Sequence, residues 1–262
     1  MIVQQKLLRL LADGELHSGS ELAAELAVTR SAVWKHIRQL ESLELEVDAQ
    51  AGQGYRLAVP IELLDEQRVR DSMGAQASAL CGRPRVLWVA ESTSDELLRL
   101  PPPAPGEARA CLAEYQSSGR GRRGRQWFAP AGCGICLSVA WRFATSPASL
   151  SCLGLAVGVG ALRALQRAGA AEAQLKWPND IVIKGRKLAG ILIDVQGEAG
   201  GPLHVVAGVG VNYQMSRQAE QAILESSGLA PANLSDEVPE RPVGRNATAG
   251  MLIDEICAVL TD

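Results

Sequence analysis

The stretch GRGRRGRQWFAP, from Gly119 to Pro130, restricts the choice of fold more than any other segment of the chain. Gly119, Gly121 and Gly124 satisfy the G-x-G-x-x-G spacing of dinucleotide-binding turns, yet every position between them is arginine. A Rossmann turn follows a first strand, opens a helix and is answered by a carboxylate about 20 residues later. Here the glycines lead instead to Trp127, Pro130 and the strand-like run GICLSVAWRF, with no Asp or Glu from Tyr115 until Glu172. No G-K-[ST] follows, so the loop is not a Walker A element either. RNA-binding arginine-glycine segments sit in longer low-complexity tails, whereas this one is a single loop between two core strands. The four arginines repel one another and are costly to order without an anion. The sequence therefore predicts a loop that is mobile when empty and closes over a phosphate or carboxylate.

The chain around that loop is long enough for two domains: 262 residues, 47% hydrophobic and 21% charged. A net charge of -3 argues against a surface coated for wholesale nucleic-acid wrapping and leaves room for a local basic face. Lys6 and Arg9 interrupt the N-terminal apolar residues at helical spacing, so no secretory signal is read there. The longest apolar run, Cys152 to Leu162, falls short of the ~20 residues that span a bilayer. A cytoplasmic protein without membrane association is expected. Six scattered cysteines fit that compartment. Cys133 and Cys136 form a C-x-x-C, but in a strand-like run their side chains point to opposite faces, and no metal site is assigned.

Residues 1–62 read as three short helices and a hairpin. QKLLRLLADGE stops at Gly14, Ser18 caps GSELAAELA, and Thr29 caps RSAVWKHIRQLESL after a tight turn at Ala27 and Val28. LEVDAQ and GYRLA, joined through AGQG, complete a winged helix-turn-helix. Thr29, Arg30, Ser31, Lys35, His36 and Arg38 give the third helix cations and donors with no carboxylate before Leu40, as a helix entering the DNA major groove requires. A protein-binding winged helix or a solvated basic face would also carry such residues. VPIELLDEQRVRDSM reads as a linker helix within residues 63–82. Residues 83–262 then give the strands PRVLWVAES, ARACLAEYQ and GICLSVAWRF, and a small-residue helix over roughly 149 to 168. The strands of AQLKWPNDIVIKGRKLAGILIDV and LHVVAGVGVNY follow. Closely spaced strands with hairpin turns predict an α+β domain whose mixed sheet is largely antiparallel, with helices against it.

ESTSDELL, EYQSSGRGRRGRQWFAP, KWPNDIVIKGRKLAGILID and GVGVN, in this order behind a winged helix, resemble the bacterial bifunctional biotin protein ligase and biotin-operon repressor family. The similarity covers nearly the whole chain. It implies a class II aminoacyl-tRNA synthetase-like catalytic domain that uses ATP and Mg2+ to convert biotin to biotinyl-5'-AMP. Biotin then passes to a lysine of the biotin carboxyl carrier protein of acetyl-CoA carboxylase. Loaded with the adenylate as corepressor, such proteins form homodimers on operator DNA and repress biotin synthesis genes.

On the matching positions, the resemblance implies that Ser92, Thr93, Ser94 and Gln116 grip biotin, with Arg120, Gly121 and Arg122 covering it. Lys187 would contact the biotin carboxylate. Arg122, Arg123, Arg125, Trp127, Asn179 and Asn212 would lie at the nucleotide, and Asp180 near nucleotide and metal, as proton acceptor or as metal or ribose contact. The chemistry asks for these types. Attack of a carboxylate on an α-phosphate brings anion to anion, so Lys187, Arg120 and Arg122 would neutralise reactants and developing charge, while lid and indole keep water from the mixed anhydride. Two departures stand out: Ser94 replaces an asparagine common in the family, and the chain ends in a helix beginning near Asn246 where repressor-type ligases continue into a small SH3-like domain. Two rival readings remain: a regulator that binds biotin or its adenylate and DNA without transferring biotin, and a lipoate-type ligase.

Overall fold

The computed structural model describes residues 2–144, 152–197, 201–227, 229–238 and 243–261. Helix α1 (Ile2–Leu11) ends just before a turn in which Gly14 N–H donates to Leu11 O. Helix α2 (Gly19–Glu25) starts at a capping box: the Ser18 hydroxyl accepts from Glu21 N, and the Glu21 carboxylate accepts from Ser18 N. Thr29 caps α3 (Arg30–Glu41), which buries Val33, Ile37 and Leu40 at helical spacing against Leu7, Leu8, Leu11 and Leu22. Strands β1 (Val47–Gln50) and β2 (Gly54–Leu57) pair antiparallel as the wing.

The segment expected as a single linker helix is two helices, α4 (Glu66–Asp71) and α5 (Ala75–Cys81). Asp65 caps the first through bonds from Gln67 N and Arg68 N, and Gly74 N–H leaves the helical ladder to donate to Asp254 Oδ1 at 2.7 Å. Leu64, Val69, Met73 and Ala77 from this segment belong to the core of the large domain.

That domain is built on a seven-stranded sheet. Its elements are β3 (Arg85–Ala90), α6 (Thr93–Leu98), β4 (Ala108–Gln116), β5 (Gly134–Phe143), α7 (Leu153–Arg167), β6 (Gln174–Lys176), β7 (Asp180–Ile183), β8 (Arg186–Gly197), β9 (Leu203–Asn212), α8 (Arg217–Ser227), α9 (Leu234–Glu237) and α10 (Arg245–Thr261). The expected start of α7, near residue 149, lies outside the described residues. The strand order is β3-β4-β5-β9-β8-β7-β6, with β3 and β4 parallel and every other pair antiparallel. Strand alternation sorts the two faces. Ile135, Leu137 and Val139 of β5, and Val205, Ala207, Val209 and Val211 of β9, pack with α7 and α10. Cys136, Ser138, Gly208 and Gly210 therefore face the other way.

Helix α10 is apolar nearly all round and lies in the middle of the core, between α7 and the pair α4 and α5. Gly160 lets α7 approach it: a Cβ there would stand 2.9 Å from Glu255 O. At its N-terminus, the side chain of Arg245 is 0% exposed and forms an ion pair with Glu114 of β4 at 2.7 Å. Arg245 also donates to Gly134 O and Glu62 O, and Asn246 donates to Leu63 O and accepts from Asp65 N. The winged helix meets the sheet where Ala131, a few residues after the arginine loop, joins the winged-helix core and donates to Leu43 O at 3.1 Å.

Candidate functional site

A cleft of about 420 Å³ opens on the sheet face away from α7 and α10, with the arginine loop over it. Its floor is a set of buried hydroxyls. Ser92 caps α6 and thereby aims Thr93 and Ser94 at β5. The Thr93 hydroxyl contacts Ser138 Oγ at 2.7 Å, and Ser94 Oγ lies 3.0 Å from the same atom. Gln116 Oε1 accepts from Thr93 N at 2.8 Å and from its hydroxyl at 3.1 Å. Such a buried chain of donors and acceptors suits a neutral polar ring better than a charged group, since no charge on the floor would compensate one. Ser138 was not among the predicted site residues. Its signal was the polar position in GICLSVAWRF, on the same face as Cys136. Burial pushes the Cys136 thiol up to about 12, so it stays protonated and is no nucleophile at neutral pH.

The loop is a small hairpin. Gly121 N donates to Arg125 O at 2.7 Å, Trp127 N donates to Gly119 O at 2.8 Å, and a single 3₁₀ turn spans Arg122–Gly124. Arg120 forms a two-pronged pair with Asp194 (3.1 and 2.7 Å) and lies 2.9 Å from Asp95. Arg122 donates to Asn179 Oδ1 at 3.2 Å, and Arg122, Arg123 and Arg125 are all exposed. The repulsion expected among four arginines is therefore partly offset by Asp95 and Asp194, which lie within the motifs but had no role assigned there.

Trp127 lies across the sheet at two glycines. A Cβ on Gly210 would fall 2.3 Å from the indole Cε2, and one on Gly190 would fall 3.2 Å from Cζ3. The indole Nε1 is buried without a partner. Lys187 Nζ sits 5.6 Å from a Trp127 ring centroid and 2.8 Å from Asp180 Oδ1. Gly210→Ala is thus expected to force the ring off the sheet, costing about 1–3 kcal/mol as overpacking does. A urea midpoint and tryptophan emission equal to the parent's would refute that placement.

Three main-chain contacts hold Lys187 in place: its N–H donates to Ala230 O, and its carbonyl accepts from Ala232 N and from Asn212 Nδ2. Asn212, expected at the nucleotide, is 4% exposed and lies outside the cleft lining, where it braces Lys187. Asn179 donates to Ile191 O and lines the cleft with Asp180. At the rim stands Trp177, 80% exposed, which the sequence reading passed over. The structure thus brings Ser92, Thr93, Ser94, Gln116, Arg120, Gly121, Arg122, Arg123, Arg125, Trp127, Asn179, Asp180 and Lys187 around one cleft. Among the described residues no group of three or more His, Cys, Asp or Glu is placed to hold a metal ion.

On α3, Arg30, Ser31, Lys35 and Arg38 are exposed on the side opposite Val33, Ile37 and Leu40. Thr29 is used as the cap, accepting from Ala32 N at 3.2 Å. His36 is half-buried, its Nδ1 3.0 Å from Gln39 Oε1, which also accepts from Gln4 of α1, so it braces the helix pair. Trp34, 57% exposed, completes the outer face under the Arg38 guanidinium, 5.7 Å from the ring centroid. No helix among the described residues is long and apolar enough to cross a membrane.

The fold and site define a two-part protein: a winged helix-turn-helix joined to a mixed-sheet domain with an arginine lid. Residues 88–212 match the Biotin/lipoate A/B protein ligase family and residues 3–56 match an HTH domain. The bifunctional ligase/repressor BirA of Escherichia coli K12 is 38% identical over 265 residues, covering 98% of this chain and 76% of the relative. BirA of Salmonella typhimurium LT2 is 42% identical over 221 residues, covering 83% of this chain and 66% of the relative. A structure of the biotin protein ligase from Aquifex aeolicus in complex with biotin and ATP shares the fold, with a TM-score of 0.53 and 22% identity over 67% of this chain and 69% of that one. The chain belongs to the bifunctional ligase/repressor BirA family.

Proposed function

We propose that this protein is an ATP-dependent biotin protein ligase that also acts as a biotin-responsive repressor. Biotin and ATP form biotinyl-5'-AMP in the cleft, and biotin passes to a lysine of the biotin carboxyl carrier protein of acetyl-CoA carboxylase. With the adenylate bound, the chain pairs as a homodimer on operator DNA in the cytoplasm. In this reading residues 1–62 bind DNA, 63–82 connect the two parts while packing into the core of the large domain, and 83–262 catalyse. The observation that carries it is the cleft itself: buried neutral hydroxyls at one end and a lysine with an arginine turn at the other suit a ligand that is a polar ring at one end and an anion at the other.

Thr93, Ser94, Ser138 and Gln116 hydrogen-bond the ureido ring. Lys187 and Arg122 draw the biotin carboxylate and the α-phosphate together against their mutual repulsion and hold the charge that develops between them. Trp127, lying across Gly190 and Gly210, covers the mixed anhydride and keeps water away. Magnesium is usually held by one or two carboxylates together with the phosphates it accompanies, and Asp180, beside Lys187, is the carboxylate suited to hold it here. Bound there, the ion would shield phosphate charge.

The test is to supply the chain with ATP, magnesium and either biotin or lipoate, and to follow pyrophosphate release and labelling of a carrier domain. Biotin-dependent release and labelling are expected; release with lipoate alone, or none with either, rejects the ligase reading. For the repressor half, the duplex most enriched by the adenylate-loaded chain from a random pool serves as probe. Arg30→Ala and Lys35→Ala should each weaken its binding and lower the salt slope by about 1 per lost phosphate contact. An unchanged slope would show that α3 does not face the DNA.

A further inference from the structure

Arg120 differs from the other arginines of the lid. Its two terminal nitrogens are taken up by Asp194, at 3.1 and 2.7 Å, and by Asp95 at 2.9 Å. Its Nε is buried without a partner. The three side chains are between 21% and 35% exposed, so water screens the pairs only in part. One positive charge between two negative ones is a poor receptor for a further anion: a carboxylate or phosphate arriving at Arg120 would meet Asp95 and Asp194 as like charges. Anion binding then falls to Arg122, Arg123 and Arg125, at or beside the hairpin turn, and to Lys187.

The two carboxylates come from the two walls of the cleft. Asp95 follows Ser94 in the first turn of α6, next to the buried hydroxyls of the floor. Asp194 lies on β8 two residues beyond Leu192, which lines the cleft. Arg120 itself bridges Gln126 across the hairpin, at its root. A pull on this one guanidinium is therefore felt by the whole lid, and the fork geometry fixes its direction as well as its distance.

We propose that Asp95 and Asp194 are positioning residues that clasp the lid to both walls through Arg120 and so set how long the acyl-adenylate stays enclosed. The clasp does no chemistry of its own. It rests on the ligase reading for what is enclosed, and on the geometry alone for the lid being held.

The experiment uses the full chain carrying Asp95→Asn, Asp194→Asn, both together, Asp194→Glu and Arg120→Lys. Without ligand, trypsin cleavage after Arg122, Arg123 or Arg125 reads how often the lid lifts. The double variant is expected to be cut about tenfold faster, Arg120→Lys to resemble it because a lysine lacks the fork, and Asp194→Glu to fall back towards the parent. With biotin, ATP and magnesium, the adenylate should leave the double variant about tenfold faster while the urea midpoint of the large domain stays that of the parent. Parent-like trypsin cutting in the double variant would overturn the clasp. Faster cutting with parent-like adenylate release would overturn its role in enclosure and leave the ligase reading standing. A parent chain that forms no adenylate would defeat the ligase reading, with the proposed enclosure falling alongside it; the trypsin rates would still decide whether the clasp holds the lid.

Discussion

Lys187→Ala is expected to slow adenylate formation by about a hundredfold, the scale that follows loss of a fixed charge-stabilising group. The reason is the economy of the site. Lys187, on β8, holds its Nζ 2.8 Å from Asp180 and beside the face of Trp127, while the exposed arginines ride on a turn above it. Its backbone is held by Ala230, Ala232 and Asn212, so truncating the side chain removes the charge without moving the strand. Lys187→Arg should recover little, because a planar fork does not repeat a compact ammonium in that space. Biotin-dependent exchange of pyrophosphate into ATP measures the step. A rate within about threefold of the parent would take Lys187 out of the reaction, the loss of such a group being worth far more.

The largest effect on stability is expected from Arg245→Leu. Arg245 and Glu114 are 0% and 4% exposed, and removing one member of a buried pair strands the other, at a cost of about 3–5 kcal/mol. Arg245 also serves Gly134 O and Glu62 O, so the loss reaches both β5 and the segment before α4. Replacing both partners, Arg245→Leu with Glu114→Leu, should be milder than the single change, because no charge is left unpaired. Urea unfolding of the large domain gives the comparison. A single variant within about 1 kcal/mol of the parent would show that the pair does not hold that junction together.

Local chemistry was the legible part of the fold. Ser18 and Thr29 announce α2 and α3 because a cap needs only residues within a turn, and short apolar runs mark β4 and β5, both buried along nearly their whole length. The place of α10 in the middle of the core was not legible, nor was the parallel pairing of β3 with β4. Both depend on partners far along the chain, as with Asp65 and Asn246, 181 residues apart. The break before α5 was written in Gly74 but needed Asp254 to fix it. The site divides in the same way. Motif spacing gathered most of its residues into one cleft, whereas Ser138 lies outside the motifs, and the pairing of Asp95 and Asp194, which stand inside them, shows itself only as contacts. His36 and Asn212 have the residue types their expected roles call for, and each also braces a neighbour: His36 meets Gln39, and Asn212, on the same strand face as Gly208 and Gly210, donates to the Lys187 carbonyl. Trp34 and Trp177, exposed indoles on the two working surfaces, were passed over because exposure is not written in a residue's type.

The ties from Glu62, Leu63 and Asp65 to Arg245 and Asn246 order events on the ribosome. The winged helix draws nearly all its core from residues before 62 and can settle early in translation. The large sheet has to wait. Until residue 245 and the helix after it have cleared the exit tunnel, Ile135, Val139, Val205 and Val209 have only part of their cover, and the nascent polypeptide carries a greasy, half-roofed platform beside a finished neighbour.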